Sequence, residues 1–234
     1  MMTVERANRL ARVGQVITMV ALAGLVGVYV RALEYTPVER MQGLAQKIFY
    51  LHVPAAWATF LAFGIAGFLS VLYLWLKDRR IDLVAEASAE VGVALSIILL
   101  TTGPIWGKPI WGTWWTWDAR LTSTLFLFLL FVGYLLLRGA VTDPVQRARF
   151  SAVIGVMGLA LIPFIHMTVY LFRTLHPDPI ILKPSAPSLP GAMLVTLLAS
   201  FGVFTLLYAG LVTQRYALGA LRELRLEREA HAAG

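Results

Sequence analysis

Cysteine is absent from the 234 residues. Disulfides, thiolate metal sites and iron–sulfur clusters within the chain are therefore excluded, and cysteine usage gives no reading of the compartment. Charge is scarce too: Asp, Glu, Lys and Arg make up 14% of the chain, against about 25% in a soluble domain. Hydrophobic residues instead reach 59%, against roughly 45–50%. They gather into long runs almost free of charge, which mark transmembrane helices and leave no visible soluble domain. The chain has no G-x-x-x-x-G-K-[ST] phosphate loop, and Gly103-Pro-Ile-Trp-Gly-Lys108 is not one. Any step driven by ATP must therefore draw on another subunit. No A-x-A-like site follows the first apolar run, so the first span is expected to stay.

The runs place six spans, at Gly14–Val30, Phe49–Leu76, Val84–Thr102, Leu121–Leu137, Ser151–Phe172 and Gly191–Thr213. Each approaches or exceeds the ~20 residues needed to cross the hydrocarbon. The second is longer and is expected to tilt or project, Pro54 suits the first turn of its helix, and Pro163 is expected to kink the fifth. The predicted fold is an all-α integral membrane protein of six transmembrane helices, with a Trp-rich segment between helices 3 and 4. Residues 1–213 form one six-helix domain and residues 214–234 a charged tail.

A formal charge of +7 would point to nucleic acid in a soluble protein. Here it reads as basic loops at a membrane, with no nucleic-acid partner. The N-terminus, the 77–83 and 138–150 loops and the tail carry 13 of the basic residues, and the opposite side carries 7. The positive-inside rule places both termini in the cytoplasm. Residues near His52, the segment Trp106–Asp118 and His176 are then expected to share the outer face.

Five of the seven tryptophans fall between Trp106 and Trp117: Trp106, Trp111, Trp114, Trp115 and Trp117. Tryptophan is common in interfacial belts, but a belt scatters over many helix ends. Five in one connection favour a platform for something flat and apolar. If the segment were a short interfacial helix, Trp111, Trp114, Trp115 and Asp118 would share a face. His52 lies at the outer boundary of the second span, where an ionisable group is a functional candidate by default. His176 follows the fifth span at Pro177-Asp-Pro179, and His166 lies deeper in that span and competes for the same role. Read alone, each could be a capping, snorkelling or solvated histidine. Together, two outer-face imidazoles and an indole platform point to a planar iron cofactor, haem, held without thioether links. Haem carries two propionates, for which Arg120, Lys108 and Lys47 are the basic residues closest in sequence, each with headgroup contact as the plain alternative. Asp118 beside Arg120 would orient it. Glu86 and Glu90 suit a helix N-terminus near headgroups better than a proton path. The leucines of Arg215–Glu229 recur at helical spacing, as in a helix lying on the membrane or a partner.

Trp106-Gly-Lys-Pro-Ile-Trp-Gly-Thr-Trp-Trp-Thr-Trp-Asp-Ala-Arg-Leu-Thr122 resembles the WWD signature of haem-handling membrane proteins. Tyr50-Leu-His-Val-Pro-Ala-Ala56 and Thr174-Leu-His176 resemble the two histidine motifs of its haem exporter branch, the CcmC family of cytochrome c maturation. The likeness spans the chain in motif order and length. It implies non-covalent haem b on the outer face of the inner membrane, with the WWD segment at the haem edge. By motif match it implies His52 and His176 as axial ligands, with His166 matching a further histidine that is not the principal ligand. It also implies hand-over to a periplasmic chaperone, CcmE, which takes the haem covalently. The other implied partners are an ABC transporter of CcmA and CcmB and the small membrane protein CcmD. Two departures stand out. The family usually has a Trp pair and an Asn before the second histidine and a Gln after it, where this chain has Tyr170-Leu-Phe-Arg-Thr-Leu-His-Pro177. An Arg is often found five residues before the first histidine, where this chain has Lys47.

Three other functions fit less well. A haem lyase acting on apocytochrome c usually has more spans, large soluble insertions and a second histidine pair. A transmembrane cytochrome b needs histidine pairs at two depths. A permease would place its site at mid-membrane rather than on one face.

Overall fold

Each apolar run forms one helix in the computed structural model, which describes residues 2–177, 183, 185 and 188–233. The helices are α1 (Val4–Val30), α2 (Phe49–Leu76), α3 (Arg79–Trp111), α4 (Ala119–Ala140), α5 (Pro144–Leu171) and α6 (Gly191–Ala233). All six are long and apolar enough to cross a membrane. Asp78, Asp118 and Asp143 cap α3, α4 and α5, each accepting backbone N–H groups of the first turn. Links of a few residues, 77–78, 112–118 and 141–143, reverse the chain, so consecutive helices from α2 to α5 run antiparallel.

α2 is central, packing on α3, α5 and α6, while α4 leans on α5 and α1 rests on α6. Alanines make the close approaches possible. Ala55, Ala58 and Ala62 of α2 meet Val91 and Leu95 of α3 and Phe204 of α6 in one core. A second core gathers Phe63, Leu127, Phe131, Tyr134 and Ile165, with Phe63 and Phe131 stacked 4.0 Å apart. Without a hydrophobic drive between helices in lipid, such packing and interhelical hydrogen bonds carry the assembly.

The α1–α6 crossing shows how tight this is. A Cβ on Gly210 would lie 2.8 Å from the Thr18 nitrogen and 3.1 Å from the Gly14 carbonyl. Gln214 Nε2 donates across the same crossing to Thr18 Oγ1 at 2.7 Å. Gly210→Leu is expected to destabilise by at least the ~1–3 kcal/mol of ordinary overpacking. Gly202→Leu, whose Cβ would meet nothing within 4 Å, should be near neutral in the same detergent thermal melt.

Four elements differ from the sequence reading. α3 does not stop at Thr102 but continues through Pro104 and Pro109 to Trp111. It ends on Gly112, which takes the left-handed conformation (φ 74°) and donates its N–H to the Lys108 carbonyl at 3.0 Å. The Trp-rich connection is therefore only 112–118, and it is irregular rather than a short helix. A 3₁₀ turn, Leu44–Ile48, leads into α2, and Pro54, counted from Phe49, sits in the second turn of that helix rather than the first. α6 runs unbroken from Gly191 through the charged tail.

Candidate functional site

A cleft opens at the end of the bundle where α1 and α3 finish. It encloses about 780 Å³, counting the part open to the outside. α2 contributes His52, Ala56 and Phe60, which fall at i, i+4 and i+8 on one helical face. α3 contributes Leu99, Gly103 and Trp106 among others, and α4 contributes Arg120 and Thr124. The 112–118 connection adds Trp114 and Trp115, and His176 closes the cleft from beyond α5. Eight residues of α2 span about 12 Å, so the cleft runs two turns down into the bundle.

His52 is buried, with Nδ1 3.0 Å from Thr102 Oγ1 and its ring 5.6 Å from that of Trp106. His176 is held from its own chain. Its backbone N–H donates to Thr174 Oγ1 at 3.1 Å, and its Nδ1 lies 3.1 Å from the Pro177 carbonyl. A carbonyl can only accept, so Nδ1 carries the proton and Nε2 keeps its lone pair. Burial, and after it the Arg120 guanidinium, lower the His176 pKa to about 4. The ring is therefore neutral at pH 7, as a metal-ligating nitrogen must be. Asp178 and Pro179, read as ending this segment, lie outside the described residues.

Two donors at the cleft stand without partners: Arg120 Nη1 and Trp115 Nε1 are buried and unbonded. A buried donor left unpaired is costly, so both point to acceptor oxygens supplied by a ligand. Among the described residues no group of three His, Asp or Glu forms a metal cage. Two imidazoles in an apolar, indole-walled slot, with two donors beside them, suit an iron whose other ligands come with a porphyrin bearing carboxylates.

The remaining sequence candidates have other surroundings. Trp111 lines the cleft, its ring 6.5 Å from that of Trp106, whose Nε1 donates to Gln42 Oε1 at 3.2 Å. Trp117 is 77% exposed and meets Trp115 edge-on. Asp118 is the N-cap of α4, accepting from the Arg120 and Leu121 N–H groups at 3.0 Å and from Thr116 Oγ1 at 2.8 Å. Lys108 Nζ bonds the Gly112 carbonyl at 2.9 Å and sits over the Trp114 ring. Lys47 is buried away from the cleft, donating to the Ala32 carbonyl at 2.6 Å and to that of Thr36. His166 meets the edge of Phe60 rather than the cleft. Ala56, Phe60, Gly103 and Thr124 were missed by the sequence reading. The i, i+4 spacing from His52 was the signal that could have found the first two.

Comparisons with known proteins place the chain in a family. The family model described as CcmC, heme exporter protein C, matches residues 2–232. The heme exporter protein C of Bradyrhizobium diazoefficiens is 38% identical over 194 residues, covering 83% of this chain and 72% of its own. That of Haemophilus influenzae is 36% identical over 191 residues, covering 82% and 78%. A ccmC-like mitochondrial protein of Marchantia polymorpha, described under cytochrome c biosynthesis, is 35% identical over 168 residues, covering 72% and 71%.

Proposed function

The chain belongs to the heme exporter protein C family, a multi-pass membrane family with a role in haem handling for cytochrome c maturation, and on that premise we propose that its cleft displays haem for hand-over to a periplasmic chaperone. The observation that carries this reading is the convergence of two imidazoles and two unpaired donors on one apolar, Trp-walled cleft. His52 and His176 are the residues that would hold the iron, and Arg120 and Trp115 the donors that would meet the propionates. Haem b, when bound, would supply an iron open to two imidazole nitrogens, and without a covalent link to this chain it would be free to be handed on. Trp111 and Trp114 wall the cleft, and the exposed Trp117 meets the cleft-lining Trp115 edge-on from outside the lining.

The protein is read as a carrier rather than an enzyme. ATP hydrolysis is assigned to ABC subunits of the CcmA and CcmB type, and the receiving chaperone to the CcmE type. CcmD is the further proposed small partner. The distribution of basic residues supports an inner-membrane topology with both termini cytoplasmic and the cleft periplasmic.

The absence of native cysteine gives a clean test. Trp117→Cys and Arg228→Cys are introduced singly, and intact spheroplasts are treated with a membrane-impermeant maleimide. Labelling at 117 but not at 228 is expected. In parallel, the protein purified from haem-supplied cells should show haem absorption that shifts when purified chaperone is added. Labelling at 228 alone, or a colourless preparation despite ample haem, would refute the reading.

A further inference from the structure

Thr102 was absent from the sequence candidates, yet it is the side chain that meets the first histidine. Its hydroxyl lies 2.6 Å from the Ile98 carbonyl, one helical turn back on α3, and 3.0 Å from His52 Nδ1. A threonine hydroxyl has one proton. The shorter contact is to a group that can only accept, so the proton goes to Ile98. The oxygen then faces the imidazole with its lone pairs, and the hydrogen between them must come from Nδ1. The Leu99 carbonyl, another acceptor, borders the same ring. Gly103, the next residue on α3, leaves the space for the imidazole: a Cβ there would lie 3.1 Å from His52 Cε1.

We propose that Thr102 is a positioning residue that fixes His52 as the Nδ1–H tautomer and so presents the Nε2 lone pair to the cleft. The two histidines are then matched, His52 through a hydroxyl and His176 through the Pro177 carbonyl. The difference matters chemically. A hydroxyl that has given its own proton to a carbonyl is a polarised acceptor, and it raises the basicity of the imidazole it holds. The proposal rests on the haem reading of the cleft for its purpose but not for its geometry.

The test therefore has a haem-free arm. ¹⁵N NMR of histidine-labelled apoprotein should show Nδ1 of His52 in the protonated range and Nε2 in the unprotonated range. Thr102→Ser should keep that pattern. Thr102→Val, of equal shape but without the oxygen, should give a mixture of tautomers. In the haem arm, Thr102→Val should weaken binding by roughly 10–100-fold and alter the absorption bands, while Thr102→Ser binds as the parent does. An Nε2–H tautomer in the parent overturns the proposal. So does a valine variant with unchanged tautomer and haem affinity, in which Leu99 would be the true partner. Should the valine variant not accumulate, the parent and serine spectra decide. If the Nδ1–H pattern is found but no variant or parent binds haem, the positioning stands and the haem reading fails.

Discussion

Loss of either cleft histidine is expected to empty the site. Removing a hydrogen-bond partner behind a metal ligand typically costs 10–100-fold in affinity, and His52→Ala or His176→Ala removes the ligand itself, so each loss should exceed about 100-fold. The two variants should also look different. His52 is buried against Trp106 and Thr102, so His52→Ala leaves an enclosed hole that free imidazole can fill. Added imidazole should then restore the absorption bands. His176 sits on an irregular segment and is only partly buried, so added imidazole should rescue His176→Ala less well. His166→Ala is the control. Its ring touches Phe60, whose other contacts reach the cleft, so it should shift the bands slightly and leave occupancy near the parent level. Absorption spectra of the three variants, normalised to protein, decide the matter. Complete loss of haem in His166→Ala with retention in the other two would reverse the ligand assignment.

The six helices could be read from one dimension, because hydrophobic runs are local properties of the chain, and the number of spans between them puts His52, the Trp-rich segment and His176 at one end of the bundle. The α2 span matches residue for residue, Phe49–Leu76. What could not be read was set by partners distant in sequence. Five tryptophans look equivalent on paper. The fold buries Trp106 between Phe49, His52 and Trp111, and leaves Trp117 in the open. Proline is expected to end a helix, yet α3 passes two of them, and only the left-handed Gly112 stops it. Lys47 and Lys108 were candidates because they are basic and nearby. Both spend their hydrogen bonds on backbone carbonyls, and no sequence pattern shows which carbonyl a turn leaves free. Thr102 was invisible for a related reason: a threonine inside an apolar span carries no mark of the histidine it faces.

The second large effect lies at the opposite end of the bundle. Arg138 reads as one more basic residue on a cytoplasmic loop. In the fold it is 5% exposed near the end of α4 and grips Asp82 of α3, which is 2% exposed. The contact is bidentate, at 2.7 and 2.9 Å, and the same guanidinium reaches Glu86 at 2.6 Å. Arg79 pairs with Asp82 and with Glu223 of α6, so one network ties three helices. A buried pair adds little over apolar residues of the same size, because desolvating both charges offsets their attraction. Breaking it is another matter. Arg138→Met leaves Asp82 with Arg79 alone and Glu86 without its partner, and is expected to cost about 3–5 kcal/mol. The double variant Asp82→Leu/Arg138→Met should recover much of that loss, since no buried charge is then stranded at position 82. Thermal unfolding in detergent measures both. Haem per folded molecule should stay at the parent level throughout, because the network and the cleft occupy opposite ends of α3 and α4. A double variant as unstable as the single one would mean that Arg138 stabilises through something other than Asp82. Its packing over the Tyr134 ring, 5.7 Å away, would then be the contact to test.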